Sequence, residues 1–389
     1  MSLRFYTISF KKMKYNNKIF ISVFAVIWIV IALTDSFSVF FLDENFFAFR
    51  AWEVMAVEGR NFPFRKNAIF EKQIYGDIAN MLKIRCFRKF RHQKFSTDSF
   101  GFRNQKYADG TYFPIVVLGD SYMAGSSLSD EQTFNSQLSR FLKVPVYNYA
   151  AVSPAVFLAD ERFQKTPPKI LIWESGESLI VPKTYQIFSK IPLNKKIYLR
   201  EQQQSEKQIR RRIRLSEYYA KWIFHDWRWR LTGLYNTSLG YIDEKSGMLY
   251  YHPNLLMLQH APEQEDITVI SDGIEHFKQI CENRGIKMIY MPVPHKETVY
   301  RKFLPEKMLK MYPESHFLDM IHEELDRRGI ANVNLMEEFR MRSDRGEHLY
   351  FSDDTHWNPE GVSVAVERIL DLMKQSGLMP ETECHTDIP

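Results

Sequence analysis

Phe113-Pro114-Ile115-Val116-Val117-Leu118-Gly119-Asp120-Ser121 is the stretch on which the fold turns. Residues 113–118 are a short apolar, β-branched run, the pattern of a buried strand. The run passes directly into a tight Gly-Asp-Ser turn. Such a turn presents its last side chain at the carboxyl edge of a sheet, where open α/β folds keep their sites. Downstream the chain alternates. Residues 130–142 start on acids and place Phe134, Leu138, Phe141 and Leu142 at helical spacing. Residues 144–149 and 169–173 are a second and third strand. A helix over 274–283 leads into a fourth at 287–291, and one over 317–328 into a fifth at 331–335. The closing helix, 361–375, carries Val362, Ala365, Val366, Ile369, Leu370 and Met373 on one side. Strands separated by helices imply an α/β fold, a parallel sheet with helices on both faces.

Composition bounds the function. With 45% apolar and 15% aromatic residues in 389, disorder is excluded as the dominant state. Three cysteines, Cys86, Cys281 and Cys384, close at most one bridge, so the fold is not a disulfide scaffold. A mean hydropathy of −0.34 excludes a many-pass transporter. A net charge of +5 is too mild to argue for nucleic acid.

The N-terminus reads as a membrane anchor. Residues 19–33 are apolar except for Ser22, and extending the run to Leu42 gives about 36 Å of helix, enough for a hydrocarbon core of roughly 30 Å. Asp35 falls near one interface. Arg4, Lys11, Lys12, Lys14 and Lys18 precede the run; Asp43 and Glu44 follow it. The positive-inside rule puts residues 1–18 in the cytoplasm, 19–42 across the membrane and the rest outside. The alternative is a cleaved signal peptide ending near Ser36-Phe37-Ser38, which also leaves the folded part extracytoplasmic. Residues 43–110 form a lead-in packed on a catalytic domain spanning 111–375, with a tail at 376–389.

Residues 181–265 interrupt the alternation. Eight Lys or Arg against four Asp or Glu fall within 201–230, with Arg210, Arg211, Arg212 and Arg214 clustered and Trp222, Trp227 and Trp229 following. The segment reads as a solvated helical excursion packing its tryptophans on the domain. The functional alternatives are a groove for an anionic polymer or a patch on lipid headgroups.

The chemistry sits at the two ends of the domain. Ser121 acts as a nucleophile only if a base activates it. The partner stretch is Asp353-Asp354-Thr355-His356-Trp357-Asn358-Pro359-Glu360-Gly361. A histidine closely preceded by a carboxylate takes up a serine proton while the carboxylate fixes the imidazole tautomer. His295, His316 and His322 lack the spacing of a metal site, and no Gly-rich phosphate loop occurs. No metal or cofactor is expected.

The pair Gly119-Asp120-Ser121 and Asp354-x-His356-Trp357-Asn358-x-x-Gly361 resembles the SGNH, or GDSL-type, hydrolase superfamily, and within it the alginate O-acetyltransferase branch that acetylates exopolysaccharides. Residues 46–53, 62–67, Tyr75-Gly76-Asp77 and 97–104 look like that group's lead-in to the catalytic strand. Residues 294–300 (PHKETVY) look like its P-x-K-x-x-V-Y segment. The resemblance covers residues 44–372. It implies a flavodoxin-type parallel sheet and a triad of Ser121 carrying an acetyl ester, His356 as base and Asp354 as its orienter. Asp353 is the alternative orienter, through the D-x-x-H spacing of the wider superfamily. It also implies a polysaccharide acceptor and a membrane-embedded acetyl-donor protein of the MBOAT type. The sequence departs from the superfamily pattern at the oxyanion hole. The second block (148–153) has no Gly and the third (173–177) no Asn, leaving the backbone N–H groups of Ser121 and Tyr122 as donors. Acetyl transfer to an extracytoplasmic glycan is therefore expected, with a carbohydrate esterase of the same triad, or a non-catalytic glycan-binding or assembly subunit, as alternatives.

Overall fold

The computed structural model describes residues 10–42, 44–57, 64–191, 214–259 and 263–380. Among the described residues the eight strands are β1 (Ile69–Ile74), β2 (Arg91–Ser96), β3 (Ile115–Leu118), β4 (Val146–Asn148), β5 (Ile170–Gly176), β6 (Gly240–Asp243), β7 (Met248–Tyr251) and β8 (Lys287–Val293). The helices that matter below are α1 (Phe10–Phe41), α2 (Asp77–Leu82), α3 (Phe134–Leu142), α4 (Leu215–Thr232), α5 (Gln264–Glu282), α6 (Lys296–Val299), α7 (Phe317–Arg327), α8 (Leu335–Asp344) and α9 (Pro359–Gln375). Two compact units emerge. One holds α1 and α4; the other holds the remaining elements from Ala48 onward.

In the larger unit a four-stranded parallel sheet runs β4-β3-β5-β8. β3 lies inside it, with Ile115 opposite both Val146 and Ile170, and all four of its residues are fully buried. Burying each such side chain contributes about 1.5–3 kcal/mol, which is why the run is continuous rather than alternating. Helix α3 packs with α9, and α5 with α7, around this sheet. The N-terminal boundary of α9 is fixed by Asn358, whose Oδ1 accepts from the Gly361 N–H, with Pro359 in the first turn. That cap holds the end of the loop carrying His356.

The four strands expected at 113–118, 144–149, 169–173 and 287–291 all form, within a few residues. The fifth, expected at 331–335, shrinks to a single parallel bridge between Tyr290 and Asn332. Two ladder bonds are made there, Tyr290 N–H to Ala331 O and Val333 N–H to Tyr290 O. Then Asn334 caps α8 by accepting from the Met336 N–H, turning the chain out of the sheet.

Two antiparallel hairpins lie outside the parallel sheet. β1 and β2 pair with Phe70 opposite Phe95 in the lead-in; β6 and β7 pair within 181–265, where no regular strand pattern was expected. Of the arginine cluster, Arg210, Arg211 and Arg212 lie outside the described residues, as do Phe62 and Pro63 of the lead-in, Cys384 and the end of the tail.

Candidate active site

β3 ends at Leu118 and the chain turns over Gly119, where a Cβ would collide with the Glu174 carboxyl of the neighbouring strand β5. The turn is tied to β5 by two carboxylates. The Asp120 N–H donates to Glu174 Oε2 at 2.9 Å. Asp120 in return accepts from the Tyr122 N–H at 2.8 Å and the Gly176 N–H at 2.9 Å. Glu174 Oε1 is buried with no hydrogen-bond partner among the described residues. Burial drives the Glu174 carboxyl well above its ordinary range and raises Asp120 as well. The result is a rigid elbow that leaves the Ser121 hydroxyl facing a cleft of about 600 Å³.

The opposite wall is the loop before α9. His356 Nε2 lies 2.8 Å from Ser121 Oγ, and its Nδ1 lies 2.6 Å from Asp354 Oδ1. With Nδ1–H donating to Asp354, the Nε2 lone pair is free to accept the serine proton. Asp354 is fully buried and accepts as well from the Asp77 N–H, Ser127 Oγ–H and Arg91. Burial would raise its carboxyl, but the His356 imidazole and the guanidiniums of Arg91 and Arg50 outweigh that and hold it well below the usual carboxylate range.

Asp353 faces another way. It accepts from the Gly76 and Lys89 N–H groups at 2.7 and 2.9 Å and pairs with Arg91 at 2.9 Å. It thus fastens the lead-in to the catalytic loop, and a Cβ at Gly76 would overlap the Asp353 backbone. Lys296 completes the support: buried in α6, its Nζ donates to the carbonyls of Phe351 and Asp354.

Of the two oxyanion donors expected at the serine, the Tyr122 N–H is already engaged by Asp120. The Ser121 N–H donates to no acceptor among the described residues. In segment 173–177 the Gly176 N–H is taken by Asp120, and in 148–153 Asn148 binds Asn135 and the Met123 carbonyl in the core.

Sequence reasoning set His295 aside as lacking metal-site spacing, yet it lines the cleft. Its Nε2 accepts from the Ser178 N–H at 2.8 Å, so the ring proton sits on Nδ1 and points to Tyr122 Oη at 3.2 Å. Tyr122 Oη–H passes the chain on to the Thr355 carbonyl, beside His356. Burial pushes His295 down to about 3, so this link stays neutral. Its only sequence signal was its place in the PHKETVY segment. Glu177 accepts from the His295 N–H and Thr298 Oγ–H, and burial pushes it up to about 7. His322 is bound to Asn332, and His316 sits beside Asp319. Among the described residues, Asp77, Asp354 and His356 alone bring metal-ligand atoms together, within 4.8 Å, and each is engaged by the hydrogen bonds above or by Thr355.

Among solved structures, the chain aligns with the psychrotrophic esterase EstA of a Pseudoalteromonas species (10% identity, 67% of this chain and 97% of that one, TM-score 0.32). A GDSL-like lipase of Bacteroides thetaiotaomicron aligns at 12% identity over 67% of this chain and 88% of that one, with a TM-score of 0.30. The salicylyl-acyltransferase of a tetracycline biosynthetic pathway aligns at 12% identity over 70% and 57%, also with a TM-score of 0.30. A comparison with curated proteins finds no match. The model of the SGNH hydrolase-like domain of the acetyltransferase AlgX matches residues 54–177 and 245–387, more than half of the chain, and the chain belongs to that family of acyl-transfer or hydrolase enzymes.

Proposed function

We propose that the protein is a membrane-anchored, extracytoplasmic O-acetyltransferase that moves an acetyl group through a serine ester onto an exopolysaccharide or other cell-surface glycan. The observation that carries this reading is the unbroken line from Ser121 Oγ to His356 Nε2 and from His356 Nδ1 to Asp354 Oδ1. In the first half-reaction, Ser121 Oγ attacks the acetyl carbonyl of the donor and His356 Nε2 takes its proton. Asp354 stabilises the imidazolium, and the leaving group departs with that proton. In the second, His356 removes the proton of a sugar hydroxyl, which attacks the ester carbonyl. The acetyl group moves to the sugar and Ser121 recovers its hydrogen.

Transfer is favoured over hydrolysis by the match to an acetyltransferase domain and by the apolar helix Asn17–Phe41, long enough to keep the domain beside a membrane-embedded acetyl donor. A donor of the MBOAT type fits that placement, and the basic residues before the helix favour an outside location for everything after it.

The test is to incubate the full chain in detergent with an acetyl-ester donor and search for acetylated Ser121 by mass spectrometry. Labelling is expected in the wild type and absent in His356→Ala. Adding oligosaccharides should move the label to sugar. Free acetate as the sole product would make the protein an esterase, and a folded wild type that never labels would remove both enzymatic readings.

A further inference from the structure

Helix α4 packs against α1, the apolar helix, within one unit. Its first turn is fastened near the C-terminal end of α1. Asp35 Oδ1 accepts from the Ser216 N–H at 2.8 Å and Asp35 Oδ2 from Ser216 Oγ–H at 2.6 Å, while Ser38 Oγ accepts from the Leu215 N–H at 3.1 Å. Just beyond α1, the Phe47 ring meets Tyr218 edge-on at 5.3 Å. α4 therefore begins at the level where the apolar span ends.

The helix is not uniform around its axis. At about 100° per residue, Tyr219, Ile223, Phe224, Trp227 and Leu231 fall within an arc of roughly 140°. All five are exposed, Trp227 and Leu231 to 65%. Trp222 and Asp226, on a different side, are buried. Lys221, paired with Glu217, and Arg228 border one side of the exposed apolar arc, and Arg230, paired with Asp226, falls just inside its other edge. An aqueous surface seldom carries five contiguous large apolar side chains without a partner.

We propose that α4 lies in the bilayer interface. Tyr219, Ile223, Phe224, Trp227 and Leu231 sink among the acyl chains, and Lys221 and Arg228 meet lipid headgroups. The occupant of this face is lipid because the helix is hydrogen bonded to the end of the membrane span, its apolar arc is rich in the aromatics that favour that depth, and its flanks are basic. The chain would then grip the membrane by two adjacent helices of different kinds, one spanning and one lying flat. The inference rests on α1 being a membrane anchor.

The experiment uses the full chain in phosphatidylethanolamine–phosphatidylglycerol vesicles. Single cysteines carry an environment-sensitive fluorophore, and Cys86 and Cys384 are replaced by serine. Probes at Phe24→Cys, Ile223→Cys and Trp227→Cys should show blue-shifted emission and lose intensity when nitroxide lipids are added, deep nitroxides acting on Phe24 and shallow ones on the other two. A probe at Lys221→Cys should emit as in water. Aqueous emission at Ile223 and Trp227 with a quenched Phe24 probe overturns the interfacial helix and leaves the anchor standing. An aqueous Phe24 probe overturns the anchor itself. Blue-shifted emission at Ile223 and Trp227 that no lipid nitroxide quenches means that protein, a second copy or a partner, covers the face, and the lipid assignment falls.

Discussion

Asp353 and Asp354 are adjacent, both fully buried and both tied to Arg91, yet only Asp354 touches the imidazole. Replacing Asp354 by Asn turns an obligate acceptor into a group that presents either an oxygen or an amide to Nδ1, and the wrong tautomer becomes available. Asp354→Asn should lower the rate of Ser121 acetylation by about 10⁴-fold. Asp353→Asn should leave that rate within about tenfold while costing about 1–3 kcal/mol of stability, because its acceptors hold the Gly76 and Lys89 backbone and not the base. Single-turnover labelling together with thermal unfolding separates the two effects. The Glu174 carboxyl, raised by burial beside Asp120, makes a second prediction. A carboxyl whose folded titration point is raised stabilises the fold fully below the ordinary Glu value of about 4.3 and loses that contribution as pH climbs toward the folded value. Glu174→Gln keeps an acceptor for the Asp120 N–H, but cannot titrate. The difference in Tm between this variant and wild type should therefore widen in the variant's favour from about pH 4.5 upward. A constant difference across that range would mean that the Glu174 carboxyl is not raised in the fold.

Elements differed sharply in how legible they were. The strands leading to the site were readable because β3, β4 and β5 are buried throughout, and β3 and the first four residues of β5 are written as continuous apolar runs. The contact between His356 and Asp354 was legible because the two residues are close in sequence. The fifth strand misled: Ala331 and Val333 have strand character, but Asn332 bonds back to Ile330 O and Asp326, and Asn334 caps α8. The β6–β7 hairpin was invisible because its strands are four residues each and flanked by charge, and its packing partner is remote. The Leu249 N–H of β7 donates to Ser352 O, so this hairpin braces the catalytic loop from a distance of about a hundred residues in sequence. The same loop is held from α6 by Lys296, buried completely. Lys296→Met should leave the carbonyls of Phe351 and Asp354 unsatisfied, lower stability by about 2–4 kcal/mol and slow acetylation of Ser121. Comparing labelling rates well below the lowered Tm distinguishes a displaced loop from simple unfolding. Equal rates would show that the loop keeps its place without the lysine.

At the scale of the whole molecule the proposed anchor raises the question of which side of a membrane the larger unit would occupy. The 25-residue apolar helix Asn17–Phe41 fits a single-pass anchor by length and composition. Lys11, Lys12 and Lys14 before it, with Asp43 and Glu44 after it, supply the charge asymmetry that orients such helices. The cysteines provide a direct readout. Cys86 is exposed in the catalytic unit, and Cys281 is buried with its thiol pushed up by burial to about 12, so only Cys86 should react among the described residues. With Cys384 replaced by serine, a membrane-impermeant maleimide should modify Cys86 in intact spheroplasts as fully as in lysed ones. Modification that appears only after lysis would place the catalytic unit in the cytoplasm. An outside glycan would then be out of reach of Ser121, and the proposed transfer to it would fall.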